Sequence, residues 1–136
     1  MNPASLAPGT FFYEVAGASE DATIDNGTLQ DQSNSEEYVI GFVSQNFRYA
    51  VSLFIPKDAG AGTLNFGPYD RSAFAKGPNA AIYIGAGYYY ADGGAILIEA
   101  IENNLITGKF VFDATSEYDD TRKVTVSGVF NQYPLP

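Results

Sequence analysis

The 136-residue chain contains no cysteine, no histidine and no tryptophan, and only seven lysines and arginines against sixteen aspartates and glutamates. Each shortage excludes some chemistry. Without cysteine there is no disulfide framework, thiolate metal site or thiol redox motif. Without histidine as well, the common nucleophilic triads and the usual zinc sites are excluded. The net charge is −9 and the basic residues are scattered. Nucleic acid is therefore not an expected partner, because its binding rests on cationic side chains displacing counterions from phosphates. An anionic membrane surface is disfavoured for the same reason. No stretch approaches the 18 apolar residues of a membrane-spanning helix. The opening MNPASLAPGT has neither a charged n-region nor an apolar h-region, so the expectation is an intracellular protein or a mature form whose leader has been removed.

What is present points to strands. Hydrophobic residues make up 46% of the chain and aromatic residues 15%, with ten tyrosines and ten phenylalanines, an aromatic content that favours pleated structure. Charged residues are 17%, below the usual ~25%, so Ser, Thr, Asn, Gln, Gly and Tyr must cover much of the surface. That composition is common in secreted β-proteins, and secretion or display on the cell surface is the expected location. A chain of this length fits one domain that buries roughly two-thirds of its unfolded surface.

Residues 1–9 carry Pro3 and Pro8 and read as an extended N-terminal arm, leaving 10–136 as a single antiparallel β domain. Strands are expected at Thr10–Val15, briefly on either side of the Asn26-Gly27 turn, at Glu37–Ser44, and at Phe47–Ile55 up to Pro56. A short strand at Gly62–Phe66 precedes an irregular loop, where a helical turn at Arg71–Lys76 is a minor alternative. Ala80–Ala91 reads as one strand ending in an Asp92-Gly93-Gly94 hairpin turn. Three strands then follow at Ala95–Ala100, Leu105–Ala114 and Lys123–Gln132, and the stretch Gly93–Tyr133 is the most regular part of the chain. Two of its strands carry a Gly-x-Phe step, at Gly108 and Gly128, as expected if a glycine sits beside an aromatic ring on the neighbouring strand. The count is eight or nine short strands with little or no helix, in an antiparallel β-sandwich or barrel, since the chain lacks the long crossovers that parallel pairing needs.

The segments NFRYAVSLFIP, GAGTLNFG, AAIYIGAGYYY, GGAILIEAIENNLITGKFVFDA and KVTVSGVF together resemble a family of uncharacterised secreted proteins and lipoproteins of Bacteroidota, of the DUF6252 kind. The resemblance covers about two-thirds of the chain. The last strand, Val124 to Phe130, is one residue shorter before its glycine than the family pattern. The resemblance implies an all-β extracytoplasmic domain with no established activity and no functional residues to carry over.

Three groups of residues could carry chemistry. Tyr83, Tyr88, Tyr89 and Tyr90, with Tyr69 nearby in sequence, could form a platform for a sugar or another flat ligand. On a strand Tyr88 and Tyr90 share one face and Tyr89 takes the other, and core or interface packing is the simpler alternative. Asp113, Glu117, Asp119 and Asp120, around the last turn, could hold Ca²⁺ through oxygen ligands, but their spacing is not that of an EF-hand. A solvated hairpin tip whose charges deter edge pairing is the simpler explanation of them. Glu99, mid-strand among apolar residues, is the one acid that a two-carboxylate glycosidase mechanism would single out. Its plainer reading is an outward-facing strand residue.

These features lead to the expectation of a non-enzymatic extracytoplasmic β-domain that binds a ligand or protein partner, with a glycan among the candidates. The alternative is a self-assembling structural subunit, a filament, tube or surface layer, whose N-terminal arm adds a strand to a neighbour.

Overall fold

The computed structural model describes residues 1–68 and 78–135; Tyr69 and the helical turn considered at Arg71–Lys76 lie outside the described residues. The chain is all-β. Its ten strands are β1 (Thr10–Ala16), β2 (Ala22–Ile24), β3 (Gly27–Asp31), β4 (Glu37–Ser44), β5 (Tyr49–Pro56), β6 (Gly62–Phe66), β7 (Asn79–Ile84), β8 (Gly87–Glu102), β9 (Leu105–Ser116) and β10 (Lys123–Pro134). All belong to one antiparallel sheet in the order β2-β1-β10-β9-β8-β7-β5-β4-β3, while β6 pairs with the second half of β8. The one helical piece among the described residues is a 3-10 turn at Pro3–Ser5.

The two end strands of this sheet, β2 and β3, are consecutive in sequence and separated only by Asp25 and Asn26. A single stretch of chain therefore pairs first with β1 and then with β4, and the sheet nearly closes into a barrel. Closure removes most of the unpaired strand edge that an open sheet would expose. Two buried tyrosines stitch it together. The Tyr13 hydroxyl of β1 donates to the Phe42 carbonyl of β4 at 3.1 Å. The Tyr133 hydroxyl of β10 accepts from the Gly41 N–H at 3.3 Å and donates to the Gln30 carbonyl.

Alternation fills the interior. Along β5, Tyr49, Val51, Leu53 and Ile55 are buried while Ala50, Ser52 and Phe54 are partly exposed, as a period of two requires. Rings meet at the centre, where Phe42 lies 5.1 Å from Phe11, 5.9 Å from Phe110, 5.4 Å from Phe130 and 5.6 Å from Tyr133, centroid to centroid. The repeated Gly-x-Phe step is explained by register: Gly128 pairs with Phe110, and Phe130 pairs with Gly108. A Cβ on Gly128 would lie 2.7 Å from the Phe110 ring, and one on Gly108 would lie 3.1 Å from the Phe130 ring. Each glycine makes room for the phenylalanine opposite.

The middle of the chain divides differently from its sequence pattern. The stretch Ala80–Ala91 is two strands, turning at Gly85, whose φ of 67° suits the left-handed region. Asp92-Gly93-Gly94 is then not a hairpin turn but part of the sixteen-residue β8, with a register shift between Ala91 and Gly93. At Gly94, with φ 140°, a Cβ would fall 2.2 Å from the Val111 carbonyl oxygen, so this glycine serves close strand approach and not reversal. Phe47 likewise belongs to the turn before β5 and is exposed. The arm 1–9 lies back on its own barrel: Pro3 is buried, the Asn131 side-chain amide donates to the Leu6 carbonyl at 2.9 Å, and the Gly9 N–H donates to the Asn131 carbonyl at 2.7 Å.

Candidate ligand-binding surface

The alternation of β7 and β8 sorts the predicted tyrosines. Tyr83 pairs with Tyr88, and Tyr90 with Ala81, so Tyr83, Tyr88 and Tyr90 stand together on the outer wall of the barrel. Tyr89 pairs with Ile82 on the other face and is buried in the core, where its hydroxyl accepts from the Arg122 Nε at 3.2 Å. Tyr88 is the centre of the outer group. Its ring stacks on Tyr90 with centroids 5.8 Å apart and planes 9° apart, and it meets the Tyr83 ring edge-on at 5.1 Å. Two neighbours thus fix the orientation of a ring that is still 45% exposed.

Polar groups border this aromatic patch. Across the sheet Tyr90 faces Thr115 of β9, whose hydroxyl donates to Asp92 at 2.5 Å. One strand further, the Thr125 hydroxyl donates to Asp113 at 2.6 Å. The Glu117 carboxylate accepts the Tyr88 N–H at 2.8 Å, and the Glu117 N–H donates back to the Tyr88 carbonyl at 2.9 Å. Next to this pair of hydrogen bonds, the exposed Tyr118 ring lies within 3.0 Å of where a Gly87 Cβ would be.

These contacts also separate the four acids considered for Ca²⁺. Asp113 is engaged by Thr125, Glu117 by Tyr88, and Asp119 by the N–H and hydroxyl of Thr121, which hold its carboxyl below the usual range. Asp120 is exposed. Among the described residues, no three His, Cys, Asp or Glu side chains gather as a metal site would need. Glu99 is exposed, beside the second register shift of β8.

A second constellation escapes sequence reasoning. The antiparallel order sends the β1–β2, β4–β5, β7–β8 and β9–β10 connections to the same end of the barrel. There Glu20, with a side chain 14% exposed, accepts from the Arg48 Nη2 at 2.8 and 3.1 Å and from the Tyr49 hydroxyl at 3.3 Å. The Arg122 guanidinium approaches the same carboxylate at 3.9 Å and donates to the Ala18 carbonyl at 3.0 Å. Hydrogen bonding to Tyr49, then to Glu20, raises the Arg48 pKa further above its ordinary value; Tyr89 does the same for Arg122. Arg48 and Arg122 are 74 positions apart, so no local spacing announces their meeting.

Comparisons with protein families, with curated proteins and with solved structures give no match. The resemblance to secreted Bacteroidota domains accordingly rests on the strand motifs alone.

Proposed function

We propose that this chain is a non-catalytic, extracytoplasmic binding domain that holds a carbohydrate on the outer wall of its barrel. The observation that carries this reading is Tyr88, half-exposed yet held between Tyr83 and Tyr90. A pyranose has an apolar C–H face and a rim of hydroxyls. An ordered phenol ring offers contact area at little entropic cost, and neighbouring threonines and carboxylates offer partners to the rim. Asp92, Thr115, Asp113 and Thr125 are placed to do so. The interior is occupied by core rings, so the wall and the rim of the barrel are the surfaces available to a ligand. A surface covered by hydroxyls, amides and tyrosine in place of charge supports an extracytoplasmic setting. The test is a glycan array probed with the wild-type chain and with Tyr88→Ala: binding by the first that is lost in the second is expected. Equal signals from both would refute the wall as the site.

One observation favours a second reading, self-assembly. Strand β3 ends the sheet, and its outer edge takes no strand among the described residues. A second copy adding a strand there would extend the sheet. Light scattering that shows a monomer at every concentration would dismiss it.

A further inference from the structure

The network at the loop end of the barrel gathers charged groups from three separate turns. Two of the three arginines in the sequence, from turns far apart, converge on one carboxylate in a protein of net charge −9. The Arg48 and Arg122 side chains are 48% and 46% exposed, while the Glu20 side chain between them is 14% exposed. The Tyr49 hydroxyl adds a neutral donor to that carboxylate, and the Tyr49 ring lies 5.5 Å beneath the Arg48 guanidinium. Arginine pairs with flanking hydroxyls recognise carboxylates through charge-assisted hydrogen bonds.

The segment that delivers Glu20 is held against backbone preference. Gly17, Ala18 and Ser19 have φ of 109°, 50° and 62°, so two consecutive non-glycine residues occupy the left-handed region. Such residues persist only where their surroundings hold them. Here the holding contacts are Arg48 on Glu20, Arg122 on the Ala18 carbonyl, and Asp21 accepting from the Gly17 N–H at 3.1 Å. Release of Glu20 would relieve this strain and uncover both arginines.

We infer that Arg48 and Arg122 form a site for the carboxylate of an acidic sugar, a uronate, and that Glu20 occupies this site from within until the ligand displaces it. The choice of a sugar carboxylate rests on the reading of the tyrosine wall as a glycan surface. The two regions adjoin: Arg48 Nη1 lies 3.1 Å from where a Gly85 Cβ would be, two residues after Tyr83, and Tyr118 and Glu117 bridge from the same rim to Tyr88. A pyranose on the wall with its carboxylate at the rim would use both. Repulsion from the remaining acidic surface is screened over about 8 Å at physiological salt, whereas a direct guanidinium contact is not.

The test has two arms. In the first, thermal unfolding of Glu20→Ala is followed in sodium acetate and in sodium chloride at equal ionic strength. Acetate should raise the melting temperature of this variant, but not that of the wild type or of Glu20→Ala combined with Arg48→Gln. No acetate-specific rise in Glu20→Ala, or an equal rise in all three, overturns the carboxylate site. The second arm needs no Glu20 variant and decides the matter if Glu20→Ala does not fold. Trigalacturonate and the neutral galactose trimer are titrated into the wild type and Arg48→Gln. The wild type should prefer the acidic trimer by about tenfold, the value of one charge-assisted contact, and Arg48→Gln should lose that preference while still binding the neutral trimer. Equal binding of the two trimers by the wild type, or no binding of either where Glu20→Ala does not fold, overturns the inference. Acetate rescue without binding of either trimer keeps the carboxylate site and overturns the glycan reading of the wall instead.

Discussion

Tyr133 spends one hydroxyl on backbone groups of two strands, Gly41 on β4 and Gln30 on β3, at the place where the barrel closes. Removing the oxygen leaves the buried Gly41 N–H and the part-buried Gln30 carbonyl without that partner. Tyr133→Phe should therefore cost about 1–3 kcal/mol in urea unfolding. Burial first, and the Asp31 charge to a lesser degree, push the Tyr133 phenol up to about 12 from 10, against an opposing contribution from the Gly41 N–H. The folded pKa lies above the unfolded one, so this stabilisation is complete below pH ~10 and is lost as pH rises toward 12. Tyr13 is also raised by burial and contributes in the same direction. Between pH 9 and pH 11 the wild type should lose more stability than Tyr133→Phe; parallel losses would show that Tyr133 is not part of the alkaline transition. Gly128 makes a complementary case. A Cβ there would lie 2.6 Å from the Tyr13 Cβ and 2.8 Å from the Phe12 carbonyl oxygen, neither of which is the end of a flexible chain. Gly128→Ala should destabilise by about 1–3 kcal/mol, as overpacking of a filled core does. An unchanged denaturation midpoint would show that the two strands can part at no cost.

Among the elements, β9 and β10 were the most legible in the sequence, because both bury one face and expose the other, and a period of two then writes itself into residue type. The Gly-x-Phe steps followed from the same logic, since a glycine opposite a ring is a property of two paired strands. The division of β7 from β8 was not legible. Gly85 and the Gly93-Gly94 pair look alike in sequence, and only the proximity of β9 decides which of them turns and which lies flat under a neighbour. The sharing of residues 22–31 between β1 and β4 was also hidden, since those strands are too short to carry a pattern. For the candidate site, alternation separated Tyr89 from Tyr88 and Tyr90 in advance, but not the burial of Tyr89. The Glu20, Arg48 and Arg122 network depends on which turns share an end of the barrel, which is a consequence of topology. The N-terminal arm supplies the prediction at this scale. It packs on its own chain, with Pro3 buried and the Leu6 carbonyl held by the Asn131 amide. Deleting residues 1–8 should lower stability by roughly 1–2 kcal/mol through lost burial and hydrogen bonds, with no change in the mass measured by light scattering. A larger assembly that falls apart on deletion would place the arm between copies instead.

As a whole molecule, the chain nearly closes a sheet around a ring-filled interior and carries a tyrosine wall and a charged rim on its outside. Three tyrosines of the wall and two arginines of the rim are brought to adjoining surfaces by one sheet order. Loops at one end of a rigid scaffold are where binding groups commonly gather. Here the wall below them is continuous with that end, because β8 runs from the rim to the far end of the barrel. The central claim, that the outer tyrosines bind sugar, is tested most directly by an NMR titration of tyrosine-ring-labelled protein with trigalacturonate and with the neutral galactose trimer. The account predicts that the Tyr83, Tyr88 and Tyr90 ring signals move with added sugar while those of the buried Tyr13 and Tyr133 stay in place. Wall signals that stay unmoved by both trimers, or shifts confined to the core tyrosines, would contradict it.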